Sequence, residues 1–244
     1  MKLSITLPSI DRAALSRTLT NIEATTRCDY EVVVVSPDQP VGEIIGRHVH
    51  WVPDHSMMGA NAGHALALPY ASGEFILPFV DDHLFIDGWD VLAIEEFERN
   101  EGVHPFALGL RAGTHVGTVF GIYYPYFPLM RLNGAKYSGW FDPLYRKGFA
   151  DADLGLKVWS QGGKAIWSKF QSIIWHPDDE RKGTDPHTTE DDMALFLKRW
   201  DVKYGRGCIT PRALRDFNRD VLIPSDRNTF SPNARADANN CFAN

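Results

Sequence analysis

The run Glu31-Val32-Val33-Val34-Val35 constrains this chain more than any other feature. Four consecutive β-branched residues have stiff side chains and no polar face. Such a run reads as a strand covered on both sides, as in a parallel sheet. Parallel strands need crossover connections, and the flanking sequence offers them. Lys2 to Leu7 is a strand candidate ended by Pro8 and Ser9, and Leu15, Leu19 and Ile22 then recur at helical spacing. Val49-His50-Trp51-Val52 is a shorter strand candidate, and Asn61 to Tyr70, rich in Ala and Leu, reads as a helix. Phe75-Ile76-Leu77-Pro78-Phe79-Val80 is a further buried strand that Pro78 distorts. The alternation predicts an α/β layer fold with right-handed crossovers.

The second half is less regular. Phe106 to Leu132 is dense in Gly, Tyr, Phe and Pro and predicts short strands and loops. Asp153 to Gln161 predicts a short helix closed by Gly162-Gly163. A clearer helix is expected from Thr189 as N-cap, with Asp192 three residues on, a core face of Met193, Phe196, Leu197 and Trp200, and a stop at Gly205. Residues 225–244 turn to Pro, Ser, Asn, Asp and Ala and read as a poorly anchored tail.

Composition narrows the function classes. The net charge of −6 argues against a protein that coats nucleic acid, whose affinity comes from clustered Lys and Arg. No stretch of about 18 apolar residues occurs, so no membrane span is expected. The opening residues Met1 to Pro8 are interrupted too soon for a signal peptide. Cys28, Cys208 and Cys241 are odd in number and widely spaced, which fits reduced thiols and a cytoplasmic setting. Phosphate-loop, dinucleotide, nucleophile-elbow and HExxH motifs are all absent from the sequence. The stretch Lys198, Arg199, Lys203, Arg206, Arg212, Arg215 and Arg219 reads as a solvated helix face, or as a weak contact with an anionic acceptor or membrane surface.

Three segments carry candidate chemistry. Asp81-Asp82-His83 follows a buried strand, and ligands of open α/β sheets bind beyond the carboxyl ends of strands. Adjacent carboxylates repel each other unless a cation or donors compensate. Asp81 and His83 could share one ion, and a mixed carboxylate and imidazole set suits Mn²⁺, with Mg²⁺ the alternative. A solvated turn with a helix cap is an equal reading of the residue types alone. Asp151 and Asp153 open a predicted helix; capping is the simpler role for Asp153, whereas Asp151, one step outside, is freer to act as a base. His176 closes the apolar run Ile173-Ile174-Trp175 and is a ligand candidate if the fold brings it to His83.

Taken in order, these segments resemble a GT-A glycosyltransferase of the family 2 type, over roughly residues 1–204. Asn61-Ala62-Gly63, then Ala71-Ser72-Gly73-Glu74-Phe75-Ile76, resembles that family's approach to its acidic motif. Asp81-Asp82-His83 stands where the DxD motif stands. Gly139-Trp140-Phe141-Asp142 with Asp151-Ala152-Asp153-Leu154 resembles its "G-x-F-D … E-D-x-D-L". The resemblance implies a Rossmann-like nucleotide-sugar-binding half with a mostly parallel sheet over 1–105, and an acceptor-binding half with a C-terminal helix over 106–224. It implies a nucleotide-sugar donor, with UDP-sugar first, held by Pro8, Ser9, Asp38, Asn61, Gly63, Asp81 and Asp82. A divalent cation would sit on Asp81, His83 and His176, in a D-x-H arrangement similar to that of polypeptide N-acetylgalactosaminyltransferases. Asp82 would face ribose or sugar. Asp151 would be the general base for an inverting transfer to a saccharide, lipid-linked or other hydroxyl, with Trp140 and Tyr124 stacking on the acceptor. Ser36-Pro37-Asp38-Gln39 departs from the family's acidic pair, leaving Asp38 alone in that place. The competing readings are a nucleotidyltransferase on a related fold, which would need a basic Gly-rich loop after the first strand, and a non-catalytic sugar-nucleotide or glycan-binding module.

Overall fold

A computed structural model describes residues 1–39, 48–113, 117–119, 122–175 and 186–204. Strands β1 (Leu3–Pro8), β2 (Tyr30–Ser36), β3 (Val49–Pro53) and β4 (Phe75–Pro78) alternate with helices α1 (Arg12–Thr25) and α2 (Ala60–Ala67). Next come β5 (His83–Phe85), α3 (Trp89–Asn100), β6 (Phe106–Ala112), β7 (Thr118–Val119), β8 (Ile122–Tyr123) and β9 (Pro128–Arg131). Helices α4 (Leu132–Ser138) and α5 (Ala150–Ser160), strand β10 (Lys164–Trp175) and helix α6 (Pro186–Tyr204) complete the described elements. Eight strands form one sheet in the order β3-β2-β1-β4-β9-β6-β10-β5, and β7 pairs with β8.

The valine run is covered on both faces, as its composition predicts. Val32 and Val34 join Leu3, Ile5, Leu7, Leu15, Leu19 and Ile22 in a core on the α1 side. Val33 and Val35 meet Val52 and Ala67 on the α2 side. Burying one such side chain contributes about 1.5–3 kcal/mol, so the run dominates the sheet's first layer. A third cluster gathers α5 and α6 around Trp140, Leu154, Leu156 and Phe196.

Beta-1 alternates apolar with polar, and both classes are buried. Thr6 Oγ1 meets His64 Nδ1 at 2.7 Å, and burial pushes the His64 imidazole down to about 3, so it packs neutral. Ser4 Oγ donates to Glu31 at 2.6 Å, and the Ser72 N–H and hydroxyl donate to the same carboxylate. Glu31 is thereby held below the ordinary glutamate range: desolvation opposes ionisation, but these donors outweigh it. Gly73 N donates to Ser4 Oγ at 2.8 Å. The Ala-Ser-Gly-Glu segment thus fastens the entry of β4 to the starts of β1 and β2.

Direction matters more than order for the site. Strands β2, β1 and β3 are parallel, as are β1 with β4 and β6 with β10. Beta-9 runs antiparallel between β4 and β6, and β5 runs antiparallel to β10. The carboxyl ends of β1, β2, β4 and β10 therefore share one end of the sheet with the amino ends of β5 and β9. Three expected boundaries shift. Alpha-5 opens at Ala150, upstream of Asp153, so Asp151 lies in its first turn and not one step outside it. The strand from Phe75 stops at Pro78, which has no N–H to extend a ladder. Alpha-6 opens at Pro186, upstream of Thr189, a position that suits a residue lacking an N–H.

A Cβ at residue 73 would lie 2.7 Å from Ser4 N and 2.8 Å from Leu3 C, both backbone atoms with no room to move. Gly73→Ala is expected to destabilise the fold by about 1–3 kcal/mol in urea unfolding, through overpacking.

Candidate functional site

Beyond the carboxyl end of β1, Ser9 Oγ donates to Asp81 Oδ2 at 2.5 Å, and Thr18 Oγ1 donates to the Asp81 carbonyl at 3.3 Å. These bonds fix the turn that follows β4. Asp82 Oδ1 meets His83 Nδ1 at 2.5 Å. Through that contact Asp82 orients the imidazole, a role beyond its expected place facing a ribose or sugar. With Nδ1 engaged by a carboxylate, Nε2 is the nitrogen left to ligate, the arrangement that carboxylate partners impose on metal-binding histidines. His83 is buried between two rings, Phe127 at 5.1 Å and Trp175 at 4.0 Å between centroids.

The same end of the sheet carries the second carboxylate. Tyr124 and Tyr126, in the β8–β9 connection, share a hydroxyl hydrogen bond of 3.1 Å. Burial, then the nearby Asp151 charge, pushes Tyr124 well above the usual tyrosine range and Tyr126 up to about 12. Burial likewise pushes the Asp151 carboxyl up to about 6, against the backbone N–H of Ala152 that Oδ1 accepts at 2.9 Å. Gly155 allows this approach, because a Cβ there would lie 2.5 Å from Tyr124 Cβ. One segment therefore borders both clusters: Tyr124 and Tyr126 lie by Asp151, and Phe127 meets His83 edge-on.

Asp153, fully buried, does not cap its helix as expected. It receives Lys157 Nζ at 2.7 Å, Trp200 Nε1 at 2.7 Å and Arg199 Nη1 at 3.0 Å, with Tyr145 Oη at 3.3 Å. Arg199, predicted to lie on a solvated or ligand-facing basic face, also donates to Asp142 at 2.6 Å. Asp192 accepts the N–H groups of Arg146, Lys147 and Gly148 instead of supporting a cap at Thr189. Arg199, Trp200 and Asp192 tie α6 to α5 and to the loop before it.

Trp140 is corrected from acceptor platform to core residue. It is 1% exposed, and its indole donates to the His64 carbonyl at 3.2 Å, so no ring face is open to a ligand. Asn61 is buried in the first turn of α2, and Gly63 seats that helix on β1, where a Cβ would lie 2.7 Å from Pro8 Cβ. Asp38 is exposed beyond β2, at the site end of the sheet. His176, the residues from Gly205 onward, and with them Cys208, Cys241 and the expected tail, lie outside the described residues. Trp175, which precedes His176, is registered opposite His83. Neither Trp175 nor Phe127 was singled out by the sequence. The two signals were an apolar run next to a histidine and an aromatic-proline run, both of which also fit a core.

The donor chemistry of Asp81 and His83 fits a divalent cation, and the Asp82 bond to Nδ1 fits it further. Among the described residues, no group of three or more His, Cys, Asp or Glu side chains converges as a metal site. Among them, too, no helix is long and apolar enough to cross a membrane.

Comparison with known proteins assigns the fold. The sequence matches no protein-family profile and no curated protein. The structure of S. aureus TarS 1–349 in complex with UDP-GlcNAc aligns with a TM-score of 0.61 at 14% identity, over 87% of this chain and 69% of that one. GalNAc-T7 with UDP, GalNAc and Mn²⁺ aligns with a TM-score of 0.61 at 12% identity, over 84% of this chain and 48% of that one. The fold is that of GT-A glycosyltransferases.

Two substitutions separate the neighbouring acids of α5. Asp153→Ala strips the anion from a buried ion cluster and is expected to cost about 3–5 kcal/mol in urea unfolding. Asp151→Asn should do the reverse. The Asp151 carboxyl titrates near 6 when folded and at about 3.9 when unfolded, so its burden is absent below both values and full above 6. The thermal midpoint of Asp151→Asn should exceed wild type at pH 8 and converge with it near pH 4.

Proposed function

We propose that this chain is a metal-dependent, inverting glycosyltransferase that moves a sugar from a UDP-sugar to an acceptor hydroxyl. The observation that carries the reading is the shared end of the sheet: a raised-pKa carboxylate, Asp151, and the Asp81-Asp82-His83 turn both border the Tyr124–Phe127 segment. The TarS and GalNAc-T7 structures, whose complexes contain UDP-GlcNAc, or UDP with Mn²⁺, support this choice of donor and cation.

The division of labour follows from charge. Transfer at an anomeric carbon builds negative charge on the departing diphosphate and releases a proton from the attacking hydroxyl. Asp81 and His83 would hold the cation, with His176 as the proposed third ligand. When bound, the cation supplies Lewis-acid stabilisation of the leaving diphosphate. Asp82 keeps Nε2 of His83 available by holding Nδ1. Ser9 keeps the Asp81 side chain in place, and Asp38 and Asn61 are assigned to the donor's nucleoside side. Asp151 takes the acceptor proton, and burial makes it a stronger base than an exposed aspartate. Tyr124 lines the acceptor's approach, its hydroxyl fixed by Tyr126.

Release of UDP from UDP-GlcNAc with Mn²⁺ reads the reaction with or without the native acceptor. Wild-type turnover should rise with pH, with a half-point near 6, as Asp151 loses its proton. Asp151→Asn should lower turnover by about 10²–10⁴-fold and abolish that limb while leaving UDP affinity unchanged. Full turnover in Asp151→Asn contradicts the base assignment. Full turnover in excess chelator contradicts the cation.

A further inference from the structure

The protein has seven tryptophans. Six are buried or half-buried, and Trp175 alone is exposed, at 65%. It is not a stray surface residue. It is registered opposite His83 on the same face of the β5–β10 pair as buried Ile173 and Phe85, at the end of the sheet where the site lies. One side of its ring rests on the His83 imidazole, 4.0 Å away between centroids. Asp82 fixes that imidazole in turn through Nδ1. The indole is therefore supported from behind and open in front. Among the described residues its N–H has no hydrogen-bond partner. A large aromatic surface left in water beside a polar centre gains nothing for folding and is what ligand sites present.

We propose that Trp175 is a saccharide-stacking residue of the candidate site, a role that rests on the glycosyltransferase reading above. The C–H face of a pyranose is apolar and slightly positive, and it complements the negative face of an indole ring. The indole N–H can donate to a ring hydroxyl beside it. A nucleobase is the less suitable occupant. The nucleoside side is assigned to residues beyond β1 and β2, whereas β10 and β5 form the opposite edge of the sheet. Trp175 thus flanks the cation ligands on the sugar side. The ring it takes is either the donor sugar or the acceptor sugar, and the two differ in when they bind.

The test follows the Trp175 indole ¹H–¹⁵N resonance, assigned by its loss in Trp175→Phe, while diamagnetic Mg²⁺ with UDP, UDP-GlcNAc or UDP plus methyl β-glycosides is added. The resonance should move little with UDP. A large shift with UDP-GlcNAc identifies the donor sugar; a shift only when the glycosides follow UDP identifies the acceptor sugar. Trp175→Ala should weaken the responsive sugar ligand about tenfold relative to UDP, with Trp175→Phe restoring most of the affinity and the thermal midpoint unchanged in both. A resonance that ignores every sugar, or an equal loss of UDP and UDP-GlcNAc affinity in Trp175→Ala, overturns the proposal. If wild type binds neither UDP nor UDP-GlcNAc, the glycosyltransferase reading itself fails, and this inference falls with it.

Discussion

The second half of the molecule depends on one buried anion. Asp153 has no exposure to water, and it is compensated by Lys157, Arg199 and the Trp200 indole. An isolated carboxylate in that place would be very unfavourable, so the cluster forms whole or not at all. Arg199 and Trp200 belong to α6, and Asp153 and Lys157 to α5. Satisfying the charge therefore docks the last described helix against the one that bears Asp151 in its first turn. Asp192 adds a second tie by binding three N–H groups of the loop that leads into α5. The position of the candidate base is set by these ties and not by a helix cap, since Phe149 at the N-cap offers no capping side chain.

The first half reaches the same end of the sheet by another route. Parallel strands deliver their carboxyl ends to one side. There Ser9 and Thr18 hold the Asp81 turn, and Asp82 holds His83. The halves share one sheet through β9, which pairs with both β4 and β6. Its preceding segment runs from Tyr124 beside Asp151 to Phe127 beside His83. The candidate base and the candidate cation ligands thus border one aromatic segment.

The sequence was most readable where a residue's environment is decided by its neighbours in the chain. The valine run, the Leu15/Leu19/Ile22 face and the Asp81-Asp82-His83 turn each follow from local pattern, and each stands where that pattern puts it. Residues whose role depends on a distant partner were misread. Asp153 looked like a cap because Arg199 and Trp200 lie more than forty positions away. Trp140 looked like a platform because nothing local announces the His64 carbonyl. Alpha-3 was not anticipated. Its helix buries Asp90 and Glu96, and Glu96 accepts from Ser168 and Lys169 of β10, so polar residues occupy part of its inward face.

The central claim is that a cation at Asp81 and His83 shares a cleft with Asp151. Paramagnetic broadening by Mn²⁺ in the presence of UDP tests it directly, because the effect falls steeply with distance from the ion. The account predicts that signals of His83, Trp175 and the Tyr124–Phe127 segment vanish first and those of Asp151 and Ala152 soon after, while Glu31 and Glu74 at the far end of the sheet stay sharp. Broadening centred on another acidic surface, with His83 and Asp151 untouched, would contradict it.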